Sequence, residues 1–236
     1  MSLEVRDFAP YFRSRQVIPG AEASAMLDIQ TLRFEVYCQE CGFLNANDYP
    51  DGRESDAYDV VSAHFCAIDR RETLSGYVRL VPPDAQGKFP FEAHCPGLFD
   101  NVVLPDPAQS GEISRLMVHR NYRRRRGDTL AGVTVHSGDA PQVERRNDSP
   151  QIMLSMFRQM YVYSLANNIR YWYAAMERPL ARVLMRLGFV FNPVGPETDY
   201  YGPVAPYLAD LRELESKVDE VDAELLKWMR EPLPKA

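Results

Sequence analysis

Apolar residues recur at three- and four-residue steps through Met26, Ile29, Leu32, Val36 and Tyr37, the spacing of one helix face. They predict a helix over residues 21–43, which Gly42 is placed to end. The polar stretch Asn45–Asp56 is turn chemistry. Two strand-like runs, Val61–Ile68 and Leu74–Val81, flank the charged turn Asp69-Arg70-Arg71-Glu72 and predict a hairpin. Residues 82–110 hold six prolines and read as irregular, and a third strand follows over Glu112–His119. The polar stretch His136–Pro150 is too poor in apolar residues to pack and reads as a loop. Ile152, Met156, Phe157, Met160 and Leu165 mark a second amphipathic helix, followed by a buried-looking strand over Ile169–Met176. A third helix carries Leu180, Val183, Leu184 and Leu187 and ends at Gly188. Two short strands are expected around Phe189–Val194 and Tyr200–Tyr201. Leu211, Leu214, Val218, Val221, Leu225 and Trp228 then predict one C-terminal helix over residues 206–230, packed on the domain or on a second subunit.

This order predicts a single mixed α/β (α+β) domain spanning residues 1–236, a mostly antiparallel central sheet flanked by helices, with residues 1–20 as an N-terminal extension. Composition narrows the function. A net charge of −6, from 27 Lys+Arg against 33 Asp+Glu, argues against a dedicated nucleic-acid binder. No apolar run approaches the ~18 residues of a membrane span, and the opening residues lack the apolar core of a secretory signal, so a cytoplasmic protein is expected. Cys38, Cys41, Cys66 and Cys95 read as free thiols, because the Cys38–Cys41 pair has no second half at zinc-site spacing; no metal and no tightly bound cofactor are expected.

Several charged residues stand where a simple fold would not put them. Arg79 interrupts the apolar run Tyr77–Val81, Arg33 lies near the apolar stripe of the first helix, and Asp56 and Asp59 flank a strand start. Glu112 and Arg115 share one strand at a three-residue separation, which in a regular strand points them to opposite faces. Buried charges are costly unless paired, so the set is either a structural ion-pair network or a polar site.

These residues fall in the strings LRFEVYCQECGF, ESDAYD, GYVRLVP and GEISRLMV. Together they resemble the GNAT-fold synthases of acyl-homoserine lactones. The chain is closer to the acyltransferases associated with PEP-CTERM/exosortase systems and to N-acyl amino acid synthases. Arg33, Tyr37, Gly42 and Phe43 match the family's opening helix and turn, and Glu54, Asp56, Tyr58 and Asp59 its acidic motif. Arg79 and Leu80, then Glu112 and Arg115, match its two strand motifs, and Tyr49–Gly52 matches the exosortase-linked lead-in. Two departures stand out. Phe43 takes the place where the lactone synthases usually have Trp, and the pyrophosphate loop is incomplete at Arg124, Gly127 and Thr129.

The resemblance implies a fatty acyl transfer from acyl carrier protein or acyl-CoA to the amine of a small acceptor, an amino acid in the main reading. Acyl-homoserine lactone synthesis from S-adenosylmethionine is the alternative, and a non-catalytic acyl-carrier-binding module a third. Glu112 is the expected general base, with Arg115 beside it, unless Glu112 merely pairs with Arg79 or Arg115 to hold the sheet. Arg33, Phe43, Asp56, Asp59, Arg79, Met117 and Val118 are expected to bind substrate. Arg123, Arg124, Arg125 and Arg126 are expected to dock the carrier's phosphate or acidic surface. A homodimer is compatible with the last helix.

Overall fold

A computed structural model describes residues 6–123 and 148–233. Strand β1 (Phe12–Val17) opens a sheet that continues with β2 (Ala63–Asp69), β3 (Leu74–Val81) and β4 (Ser110–Val118), each antiparallel to the last. Strand β5 (Tyr171–Met176) lies parallel to β4, and β8 (Pro203–Asp210) pairs antiparallel with β5. Two-residue strands β6 (Asn192–Pro193) and β7 (Thr198–Asp199) attach to β8. Helix α1 (Ala23–Phe34) continues into one π-helical turn, Glu35–Glu40, and Gly42 ends it with a positive φ of 64°. The remaining helices are α2 (Pro90–His94), α3 (Asp148–Ala166), α4 (Arg178–Arg186), α5 (Leu211–Val221) and α6 (Ala223–Arg230).

Strand alternation sorts the core into two layers. Val78 and Leu80 of β3 face α3 in the larger core, with Phe157 and Met160, while Tyr77 faces α1 with Ile29, Leu32 and Val36. Gly76 lets α3 approach closely, since a Cβ there would lie 2.5 Å from Ile152 Cγ2. No helix among the described residues is long and apolar enough to cross a membrane.

The hairpin, the central strands and three amphipathic helices stand where periodicity predicts them, and four expectations need correction. The short strand expected around Tyr200–Tyr201 is Thr198–Asp199 instead, and the two tyrosines form the turn after it. The 1–20 extension contains β1, an edge strand whose burial is confined to its two ends because it is solvated along one side. Residues 203–210 form β8, so the last helix does not begin at 206. That helix is also two. Asp222 leaves the helical region at φ −156° and caps α6, its side chain accepting from the Glu224 and Leu225 amides. Both helices pack on the domain, with Leu214, Val218, Leu225 and Trp228 in the larger core. Residues 124–147, which include most of the expected polar loop, lie outside the described residues.

Gly188 ends α4 at φ +84°, where a Cβ would lie 2.6 Å from Val218 Cα on α5. A left-handed backbone costs an L-residue about 1–2 kcal/mol, and overpacking adds about 1–3 kcal/mol. Gly188→Ala is therefore expected to lower the unfolding free energy by at least about 2 kcal/mol in urea denaturation.

Candidate active site

Three arginines and three carboxylates interlock between α1, the 54–59 loop, β3 and β4. Arg33 donates from Nε to Glu54 at 2.5 Å and from Nη1 to Asp59 at 2.5 Å. Arg79 grips Asp56 with two parallel bonds of 2.6 and 2.7 Å and reaches Asp59 at 2.7 Å. Arg115 donates to Glu54 at 3.1 Å and to Asp56 at 3.2 Å. Arg33, Glu54 and Arg79 are fully or almost fully buried. Such a cluster is stable only because each charge meets opposite charge in hydrogen-bonding geometry. Behind it, His64 Nε2–H donates to the Asp59 carbonyl at 2.8 Å, which leaves Nδ1 to accept from the Tyr77 hydroxyl at 2.7 Å. Burial lowers the His64 pKa and keeps the imidazole neutral. Burial alone would raise the Asp56 carboxyl, but hydrogen bonding and charge from Arg79, with Arg115 and Arg33, bring it down to about 2.

A β-bulge corrects the expectation that Glu112 and Arg115 part company. Arg79 pairs with Ser114 but Tyr77 with Met117, so β4 carries an extra residue there. Arg115 takes that place at φ +57° and swings its guanidinium into the network. Glu112 and Arg115 consequently line one cavity of about 370 Å³. Glu112 makes no ion pair with Arg79 or Arg115; its Oε2 accepts the Phe91 amide of α2 at 2.8 Å. Burial pushes its carboxyl up to about 8 against the opposing pull of the Phe91 amide and of the two arginines.

The β4–β5 ladder ends at the pair Ile113–Ala174, and beyond it Ser114–Leu116 and Ala175–Glu177 line opposite walls of the cavity. The cavity passes between the strands, with a polar, ring-rich end near Glu54, Asp56 and Glu112. Its other end is apolar, formed by Phe157, Leu180, Leu184 and Phe191.

Of the substrate-binding residues expected from sequence, Phe43, Asp56 and Arg79 line this cavity. Arg33 and Asp59 do not; they are buried behind it as support. Met117 and Val118 also lie away from it, because the bulge turns Met117 into the α1 core and Val118 into the α3 core. Arg33 Nε and Nη1 and both Nη atoms of Arg79 are taken by carboxylates, and Arg115, with 15% of its side chain exposed, is the network arginine that opens most to the cavity. Arg123 pairs with Glu40. Arg124, Arg125 and Arg126 lie outside the described residues. Sequence reasoning did not pick out His94, Tyr200 and Tyr201 as cavity residues. Their convergence joins two distant segments, the end of α2 and the turn between β7 and β8, and has no local spacing signal. All four cysteines are free thiols, and no cluster able to hold a metal ion occurs among the described residues.

Residues 32–132 match the model of the acetyltransferase (GNAT) domain. A curated acyl-homoserine-lactone synthase of Aeromonas salmonicida is 24% identical over 144 residues, 61% of this chain. The match spans 59% of that enzyme's length. Among solved structures, the CoA-dependent acyl-homoserine lactone synthase BjaI with SAM and isopentyl-CoA superimposes with a TM-score of 0.63 at 19% identity, covering 91% of this chain and 89% of that one. The N-acyl amino acid synthase FeeM from uncultured soil microbes gives 0.51 at 14% identity, over 90% of this chain and 97% of that one. The chain thus shares the fold of these two synthases, and its residues 32–132 resemble the acetyltransferase (GNAT) domain.

Removing Arg33 would leave three carboxylates against two guanidinium groups, with Glu54 held only by Arg115 and Asp59 only by Arg79, and breaking buried pairs of this kind costs about 3–5 kcal/mol. Arg33→Ala is expected to lose that much stability by urea denaturation, and Arg33→Lys to recover only part of it, since an ammonium cannot supply the two-pronged fork.

Proposed function

We propose that this GNAT-domain chain is an N-acyltransferase that moves a fatty acyl group from a carrier thioester to the amine of a small acceptor. The observation that carries this reading is Glu112, an unpaired, buried carboxyl with a pKa near 8 where the central strands part. As the amine nitrogen attacks the thioester carbonyl, the C–N bond forms and Glu112, directly or through water, takes the nitrogen's proton. The C–S bond then breaks and the thiolate leaves on its carrier. Edge amides at the open strands are suited to the developing oxyanion, and the apolar end between α3 and α4 to the acyl chain.

Acyl carrier protein and acyl-CoA both remain donors in this proposal. The arginine run from Arg120 to Arg126 favours an acidic carrier. For the acceptor an amino acid is the main reading, supported by Phe43 on the cavity wall in place of Trp. The Tyr49–Gly52 lead-in, whose Tyr49 also lines the cavity, supports an exosortase-linked role. The second reading, lactone synthesis from S-adenosylmethionine, draws on the likeness to lactone synthases.

The test is to incubate the chain with acyl carrier protein or CoA thioesters and with amino acids or S-adenosylmethionine, then resolve products by mass spectrometry. Acyl amides without methylthioadenosine are expected. Methylthioadenosine released in step with acyl consumption would instead make the protein a signal synthase.

Glu112→Gln is expected to lower kcat/KM at least about tenfold, since a general base contributes about 10²–10⁴. The parent kcat/KM should rise with pH through a limb near 8, absent in the variant. The stability sign follows. The folded carboxyl holds its proton to about 8, whereas an unfolded glutamate releases it near about 4.3. Between those values the folded chain binds more protons, so Glu112 subtracts stability as pH rises, and melts of Glu112→Gln should lose that slope.

A further inference from the structure

Helix α1 runs into the π turn Glu35–Glu40, whose bonds close five residues apart, the Cys41 amide donating to the Val36 carbonyl at 3.0 Å. In an α-helix, residues five apart stand about 140° round the axis from one another. The wider turn draws Glu35 and Glu40 toward one side, and both meet the segment that leaves β4. Glu35 lies 3.8 Å from His119 Nε2, and Glu40 accepts from Arg123 Nη2. Between them the Tyr122 hydroxyl donates to Asp69 at 2.8 Å. Three carboxylates thus hold residues 119–123, which open the arginine run.

The Arg123–Glu40 pair is built differently from the buried network. Its side chains keep 13% and 22% of their surface exposed, against 0% and 1% for Arg33 and Glu54. Glu40 also fills only one prong of the fork, for Arg123 Nε is withdrawn from solvent without a hydrogen-bond partner. A guanidinium fork matches two oxygens of one carboxylate or phosphate, and this one is half satisfied. The pair stands beside the cavity rim. Burial raises the Cys41 thiol, and the charges of Arg123, Glu40 and Glu177 act on it together, with Glu177 on the cavity wall. A part-exposed ion pair contributes little, so a better-matched anion can displace Glu40.

We propose that Glu40 stands in for the donor's phosphate at Arg123, and that a thioester borne on a phosphopantetheine arm must displace it. Competition of this kind weakens the hold on the donor and on the spent thiol alike, so Glu40 speeds release of the deacylated carrier. The proposal rests on the acyl-transfer reading and names what governs its donor. Acyl carrier protein and CoA present the same chemistry, a phosphate on the pantetheine arm. A brace that merely fixed the π turn would act alike on every donor, with or without that phosphate.

The experiment presents one acyl group on acyl carrier protein, on CoA and on pantetheine, which lacks the phosphate, to the parent chain and to Glu40→Gln. The variant is expected to lower KM about fivefold for one or both phosphate-bearing donors, the worth of a part-exposed pair. Inhibition by the matching free thiol, holo carrier protein or CoA, should tighten by the same factor. KM for the pantetheine thioester should stay unchanged, and added salt should shrink the gain. In an Arg123→Gln background, Glu40→Gln should have no effect, since the pair it breaks is already gone. The donor that responds identifies which phosphate Arg123 reads. An equal change with all three donors, no gain with either phosphate-bearing one, or a gain that survives Arg123→Gln would each overturn the role of Glu40 while leaving acyl transfer standing. No acylated product from any donor, in parent or variant, would overturn the acyl-transfer reading and this proposal with it.

Discussion

The interaction on which the rest depends is the buried lattice of Arg33, Arg79 and Arg115 with Glu54, Asp56 and Asp59. Each of those ions would be prohibitively costly to bury alone, and the cost is offset only when opposite charges meet in near-ideal geometry. The lattice joins parts of the chain that are remote in sequence. Arg33 belongs to α1, the three carboxylates to one loop, Arg79 to β3 and Arg115 to the β4 bulge. The loop itself has little regular structure, yet the Glu54 amide bonds to the Gln30 carbonyl of α1 at 3.0 Å and the Asp59 carbonyl is held by His64. A polar, turn-rich segment is thereby fixed as firmly as a strand.

The lattice also explains the local backbone. Arg115 adopts a left-handed conformation that a non-glycine residue avoids, and two carboxylates reward it for doing so. The bulge that results puts Arg115 on the same cavity as Glu112, two positions that a regular strand would hold apart. It also shifts the register of β3 against β4 by one residue. Arrangement of the cavity walls is in that sense a consequence of how the charges are satisfied.

Much of the fold was legible because periodicity reports burial. Val61–Ile68, Leu74–Val81 and the stripes of α1, α3 and α4 carry enough apolar residues to declare their period. Strand β1 was not legible, since FRSRQV buries only its ends along a sheet edge. Strand β8 was masked by Pro203 and Pro206, which read as a break before a helix, although Pro206 serves as an acceptor for the Val194 amide. The heptad-like run to Trp228 concealed the break at Asp222; there Val221 is 56% exposed although its spacing marks it as seam. The charged members of the site were visible as residues out of place. Their division into lining and support was not, because alternation fails at a bulge, and neither was the convergence of His94, Tyr200 and Tyr201 on the cavity.

The last link runs from the lattice to the proposed base. Arg79 and Arg115 both pull the Glu112 carboxyl toward ionisation, and burial pushes the other way. At Asp56, which Arg79 and Arg115 hydrogen-bond directly, the same two guanidinium groups bring the carboxyl down to about 2 against burial. Glu112 hydrogen-bonds neither arginine, and there burial, joined by the charge of Glu92, prevails over their pull. A carboxyl that gains and loses its proton near neutral pH is the kind a general base needs. The balance of three arginines against three carboxylates thus both stabilises the sheet and leaves the fourth carboxylate, Glu112, free to titrate in the working range.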